Sequence, residues 1–193
     1  MVRLTTACGI GLLAMMCVVS TVHGEGVRVG DKAPDFTAES VEGKTITLAD
    51  TKGALATVLC FTCNDCPVAI AYEDRFIDFT KKYADKDVKF IAINVNKNEN
   101  LDVMRERAEQ KKFNFVYAYD RDGDSARSYG ARVTPHLFII DADGNVAYIG
   151  AFDDNMAAGR VKERHVESAV DALLAGRQPE VTETKAVGCT IKW

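Results

Sequence analysis

A chain of 193 residues with 24 basic and 28 acidic side chains has a formal net charge of −4, and 47% of it is hydrophobic. That is enough sequence for one domain with a proper core and leaves little room for a second. The mild acidity excludes a nucleic-acid binder, which needs a basic face.

The first residues read as a leader. Met1-Val-Arg3 is a short basic start, Gly9 to Val19 is an apolar run, and Val22-His-Gly24 offers small residues where a signal peptidase reads. A signal peptide over residues 1–24 is expected, cleaved after Gly24, which makes the protein exported, either periplasmic or secreted. If the leader is retained, the stretch from Leu4 to Val22 becomes a membrane anchor, and membrane association is expected in that case only. Cys8 and Cys17 leave with the leader, so four of the six cysteines remain: Cys60, Cys63, Cys66 and Cys189. Outside the cytosol cysteines persist as disulfides, so a paired thiol site must be kept reduced by a partner or work as an oxidant.

Val27–Val29 and Asp35–Thr37 look like short extended pieces, followed by a hairpin around Glu42-Gly43 into Thr45–Leu48. Residues 54–62, apolar and rich in β-branched side chains, predict a buried strand. From Pro67 to about Tyr83 the spacing of Ile70, Tyr72, Phe76, Phe79 and Tyr83 predicts a helix with an aromatic stripe for core packing. Val88–Val95 is a second buried strand, Asn100 to about Lys112 a helix with Asn100 as N-cap, and Phe115–Tyr119 a third strand. A short helical turn leads to Val133-Thr-Pro135. His136–Ile140 and Asn145–Ile149 form a hairpin closed by Asp143-Gly144, and a helix over Asp153–Ala175, strongest from Arg164, closes the domain. Asp120-x-Asp122-x-Asp124 lacks the Gly and Glu of a calcium loop, having Ser125 and Ala131 at those positions, and reads as a polar turn. The order predicts an α/β fold: a mixed central sheet with helices on both faces and a terminal hairpin plus helix, spanning residues 26–176. The tail, 177–193, ends on Cys189, Ile191 and the chain's only Trp, Trp193, a composition that predicts docking on the domain.

Chemistry concentrates at Cys60, Cys63 and Cys66, between the buried strand and the helix beginning at Pro67. Cys60 lies inside the strand, where a cysteine behaves as a small hydrophobe. Cys63 and Cys66 fall at a helix N-terminus. There, free N–H groups and the helix dipole favour the thiolate, so both are expected to be exposed thiols of low pKa. Asp65, a carboxylate between them, opposes ionisation and makes the pair more reducing. His136 could reach the sulfurs, though a hydrogen-bonded histidine at a strand start is the simpler reading. His165 reads as a surface residue of the last helix.

Cys63-Asn-Asp-Cys66 after a buried strand, Thr134-Pro135 ahead of an apolar strand, and Ile140-Asp-Ala-Asp-Gly144 before its partner resemble the thioredoxin superfamily, in its exported redoxin, AhpC/TSA-like branch. The resemblance implies a thioredoxin-like fold and a thiol–disulfide oxidoreductase that cycles a Cys-x-x-Cys pair. Cys63 would be the nucleophile and Cys66 the resolving thiol. A cis Pro135 would lie against the pair, and Thr134 would offer its backbone to an extended substrate. Pro67 complicates these roles, because proline prefers the first helical position and draws the helix start toward Cys66. The implied partners are protein or small-molecule disulfides and thiols together with an upstream redox partner, and no cofactor or metal is required.

Two alternatives stay open. One is a peroxiredoxin-like antioxidant peroxidase with Cys189 as resolving thiol, although the Pro-x-x-x-Thr-x-x-Cys pattern fits neither Cys66 nor Cys63. The other is a Cu(I) metallochaperone built from Cys63, Cys66 and His136, since soft thiolates suit that ion.

Overall fold

The strand that leads into the cysteine triplet, β3 (Ala56–Thr62), is buried along its whole length. It is flanked on both edges, by β4 (Val88–Asn94) in parallel and by β7 (His136–Asp141) in antiparallel register. The computed structural model describes residues 26–193; the leader expected over 1–24, with Cys8 and Cys17, lies outside the described residues. With β1 (Thr37–Ser40), β2 (Thr45–Thr47), β5 (Val116–Tyr119) and β8 (Val146–Gly150), these strands form a mixed sheet in the order β2-β1-β5-β4-β3-β7-β8. The chain therefore has the expected α/β, thioredoxin-like architecture.

Parallel neighbours cannot be joined by a tight turn, so β3, β4 and β5 are connected through α1 (Pro67–Lys82) and α2 (Leu101–Lys111). Alternation along the strands sends side chains to two cores. Val58, Cys60, Phe90, Ala92 and Leu137 pack against Tyr72, Phe76 and Phe79 of α1, Met104 of α2, and Val166, Ala169 and Val170 of α4 (His165–Leu174). Leu59, Phe61, Ile91, Ile93 and Phe138 face the other way, against Phe36 and against Ala126 and Tyr129 of α3 (Asp124–Tyr129). Asn100 caps α2 as expected, its side chain accepting from the N–H groups of Asp102 and Val103.

Three local expectations are corrected. Val27–Val29 forms no strand. Ile70 is exposed, because two residues at about 100° each carry it to the far side of α1 from Tyr72. The closing helix begins only at His165. Upstream of it, the Asp153 carboxylate accepts from Tyr72 Oη at 3.1 Å and Asn155 N at 3.1 Å and pairs with Arg75, which ties this segment to α1, and its one helical piece is a short 3-10 turn, Ala158–Arg160.

The final segment runs back over the domain. Thr182 O accepts from Ile149 N and Thr184 N donates to Ile149 O, both at 3.0 Å, along β8. The chain then crosses to β6 (Val133–Thr134), where β9 (Cys189–Thr190) pairs antiparallel with Val133 opposite Thr190 and Thr134 opposite Cys189. Ile191 is buried in the second core, and the Trp193 ring lies 4.4 Å from the Arg127 guanidinium. Among the described residues, no helix is long and apolar enough to cross a membrane.

Candidate active site

β3 delivers the chain to the loop Cys63–Cys66, and α1 takes it away. Cys66 is the N-cap of that helix, with extended backbone (φ −83°, ψ 116°), and Pro67 occupies the first helical position, where its missing N–H costs nothing. Cys60 points into the α1/α4 core and is fully buried; loss of solvation holds its thiol well above the ordinary range, so it packs and does not react.

Cys63 and Cys66 converge on one residue of β6. The Cys63 sulfur lies 3.2 Å from Thr134 Oγ1, and the Cys66 sulfur 2.9 Å from the Thr134 carbonyl oxygen. The Thr134-Pro135 peptide is cis. The positions singled out from sequence, Cys63, Cys66, Thr134 and Pro135, thus meet at one place, and the third thiol joins them: Cys66 Sγ and Cys189 Sγ are 2.7 Å apart. All four cysteines from Cys60 onward are free thiols.

Sequence reasoning missed the group that holds the loop. Glu99, buried just beyond β4, accepts the Asn64 N–H on both carboxylate oxygens at 3.0 and 3.1 Å and the Asp65 N–H at 3.3 Å. Asn94 Nδ2 at 2.7 Å and Asn96 Nδ2 at 3.0 Å complete its donors. Tyr117 Oη donates to Asn64 Oδ1 at 2.7 Å and so clamps the same loop from β5. The signal was available in part, since Asn94-Val-Asn-Lys-Asn-Glu-Asn100 is a polar run where a buried strand ends. What hid it was the pairing of Thr62 with Asn94, which brings that run beside the cysteines.

The two thiols are not alike. Burial pushes Cys63 up to about 11; the Thr134 hydroxyl opposes this, while the charges of Glu99 and Cys66 add to it. Burial also pushes Cys66 up, but hydrogen bonds from the Cys189 thiol, the Ala69 and Cys189 backbone and the Thr134 side chain outweigh it, and the Cys66 thiol lies below its ordinary value. Cys189 is raised in turn, first by that hydrogen bond with Cys66, then by desolvation and the Cys66 charge. The expectation of two exposed, acidic thiols is therefore corrected. Both are buried, Cys66 to 1% exposure, and only the one at the N-cap is acidified. The carboxylate acting on Cys63 is Glu99, where sequence had pointed to Asp65.

Cys63, Asp65, Cys66, Asn96, Thr134 and Cys189 line a cavity of about 130 Å³. His136 is not among its walls. It opens on a different cleft with Tyr129, Arg132 and Phe138, its ring 4.7 Å from that of Phe138, so the sequence suggestion that it could reach the sulfurs is corrected. Strand alternation is the reason, since His136 pairs with Phe61 and shares the face opposite Cys60. Among the described residues, no group of three or more His, Cys, Asp or Glu side chains is arranged to hold a metal ion.

Comparison with known proteins bears on the family and the fold. The AhpC/TSA family matches residues 29–149. The thiol-disulfide oxidoreductase ResA of Bacillus thuringiensis subsp. konkukian is 30% identical over 125 residues, which are 63% of this chain and 69% of that one. An uncharacterized conserved protein from Geobacillus kaustophilus superposes with a TM-score of 0.81 at 32% identity, over 86% of this chain and 92% of that one. A putative thiol:disulfide interchange protein DsbE from Chlorobium tepidum gives a TM-score of 0.59 at 28% identity, over 64% and 85% of the two chains.

Proposed function

Because the chain belongs to the AhpC/TSA family, we infer that it is a thiol–disulfide oxidoreductase that uses Cys63 and Cys66 as its exchanging pair. The observation that carries this reading is the convergence of both sulfurs on Thr134, beside the cis bond to Pro135. Cys63 loses its proton to solvent and attacks one sulfur of a substrate disulfide. The substrate S–S bond breaks, one half leaves as a thiol, and the other stays bonded to Cys63. Cys66, already biased to the thiolate, attacks the Cys63 sulfur, closes the Cys63–Cys66 disulfide and releases the second half. Thr134 holds both sulfurs in place, and its backbone edge, where the resemblance put an extended substrate, is paired with Cys189 of β9.

The electrostatics support the reducing direction. A strong oxidant stabilises its reduced, thiolate form, whereas burial and Glu99 penalise the Cys63 thiolate. Substrates are protein or small-molecule disulfides, and an upstream dithiol partner restores the enzyme. The leader pattern over residues 1–24 supports an exported protein, periplasmic or secreted, or membrane-anchored if that leader is retained.

Insulin reduction measured with Cys63→Ser and Cys66→Ser tests the reading. Each variant is expected to lose turnover, and full activity in both would sink it. Cys189 beside an acidified Cys66 also favours a second reading, peroxidase chemistry with Cys66 as the attacking thiolate. Catalytic consumption of hydrogen peroxide that requires Cys66 and Cys189 but not Cys63 would move the assignment there.

A further inference from the structure

β9 brings a third thiol to a pair that solvent barely reaches. Cys63 is 8% and Cys66 1% exposed, while Cys189, on the outer strand, is half-buried. The segment carrying Cys189 is built into position on both sides of the sulfur. Upstream, Thr184 Oγ1 accepts from Ala151 N at 3.0 Å and meets Tyr148 Oη at 2.6 Å. Downstream, Ile191 N donates to Arg132 O at 3.2 Å and Lys192 O accepts from Lys97 N at 3.3 Å. Gly188 makes the approach possible, for a Cβ there would stand 2.1 Å from the Thr134 carbonyl oxygen.

We propose that Cys189 is a disulfide relay, which carries the oxidised state of the buried Cys63–Cys66 pair to the surface, where an external dithiol removes it. The proposal rests on the exchange reading above. After substrate reduction, the Cys189 thiolate attacks the Cys66 sulfur. A Cys66–Cys189 bond forms, the Cys63–Cys66 bond breaks, and Cys63 leaves as a thiolate that takes a proton; no electrons are gained or lost. One thiolate of an external dithiol then attacks the outer sulfur, Cys189, and displaces Cys66, which leaves as a thiolate still stabilised by hydrogen bonds from the Ala69 backbone and the Thr134 side chain. The second thiol of that partner attacks its own sulfur in the mixed disulfide, releasing Cys189 as a thiol and leaving the partner oxidised. In the reduced enzyme Cys189 is held protonated first by its hydrogen bond with Cys66, then by desolvation and by the Cys66 charge. Once Cys66 is bonded to Cys63 the hydrogen bond and the charge are gone and only desolvation is left, so the relay thiol gives up its proton more readily at the stage when it is needed.

The test is disulfide mapping by mass spectrometry after mild oxidation with diamide and acid-quenched alkylation of free thiols, together with insulin turnover driven by dithiothreitol. Wild-type protein is expected to show both Cys63–Cys66 and Cys66–Cys189 bonds, and Cys63→Ser to collect as Cys66–Cys189. Gly188→Ala, which pushes β9 off Thr134 and keeps every sulfur, should lower the Cys66–Cys189 fraction. Cys189→Ser should slow regeneration at least about tenfold, since the dithiol must then attack Cys63, 8% exposed, in place of the more open Cys189. A first turnover of insulin by the wild type, together with a Cys63–Cys66 bond alone in that protein and no Cys66–Cys189 bond in Cys63→Ser, overturns the relay and leaves exchange standing. Absence of that first turnover removes the exchange reading and the relay with it.

Discussion

Both carboxylate oxygens of Glu99 receive the same backbone N–H, that of Asn64, at 3.0 and 3.1 Å. A buried carboxylate thus stands where a helix cap or turn would otherwise satisfy the loop between the cysteines, and its charge bears on Cys63. Glu99→Gln removes that charge and turns an amide NH₂ toward groups that only donate. We expect the Cys63 thiol to fall below about 11, while burial, the larger cause, still holds it above its ordinary value. Stability should drop by about 1–3 kcal/mol, the usual cost of a buried donor left unpaired. Alkylation rate against pH, read on Cys63 in a Cys66→Ser background, and urea denaturation check the two parts separately.

Ionisation of Cys63 also sets a pH dependence of stability. Its folded-state thiol sits at about 11, against about 8.5 for an unfolded cysteine. Between those values the unfolded chain holds fewer protons than the folded one, so stability is full below about 8.5 and declines as pH rises toward 11. Denaturation midpoints measured from pH 8 to pH 11 should fall with a slope that Cys63→Ser reduces. An identical slope in the variant would show that the burden lies elsewhere.

His136 produces the opposite trend on the acid side. Burial, and then the charge of Arg132, depress it to about 4, below the unfolded value of about 6.5. In that window the unfolded chain binds the extra proton, so the contribution is whole above 6.5 and is lost as pH falls through 4. The His136→Phe variant should flatten the pH 4–6.5 limb of the stability profile while insulin turnover at neutral pH stays near the wild-type level, because this ring opens on a cleft away from the sulfurs.

Asp153 anchors the start of the irregular segment before α4. Its carboxylate is 1% exposed and serves both Arg75 and Tyr72, and Arg75 goes on to donate to Asn155 O at 3.0 Å and Met156 O at 2.8 Å. Removing one partner of a buried ion pair leaves the other charge uncompensated, so Asp153→Ala is expected to cost about 3–5 kcal/mol. A double substitution, Asp153→Ala with Arg75→Met, should recover part of that loss in thermal denaturation. No recovery would show that the pair is not coupled in the way its contacts imply.

The sequence by itself determined the α/β order, the placement of β3 and α1 around the cysteine loop, and the packing role of Cys60. These follow from local rules: a β-branched apolar run, an aromatic stripe at helical spacing, and a proline that can only open a helix. Pro67 even hinted that Cys66 and not Cys63 would be the N-cap. Tertiary structure alone decided which cysteine is acidified, because burial acts on both and Glu99, Thr134 and Cys189 reach them from the loop after β4, from β6 and from β9. It also decided the fate of His136, turned away by the pleat, and of Cys189, which pairing with Thr134 carries across 123 residues of chain to within 2.7 Å of Cys66. Such contacts depend on strand register and on which edge a returning segment finds free, and neither is written in the spacing of neighbouring residues.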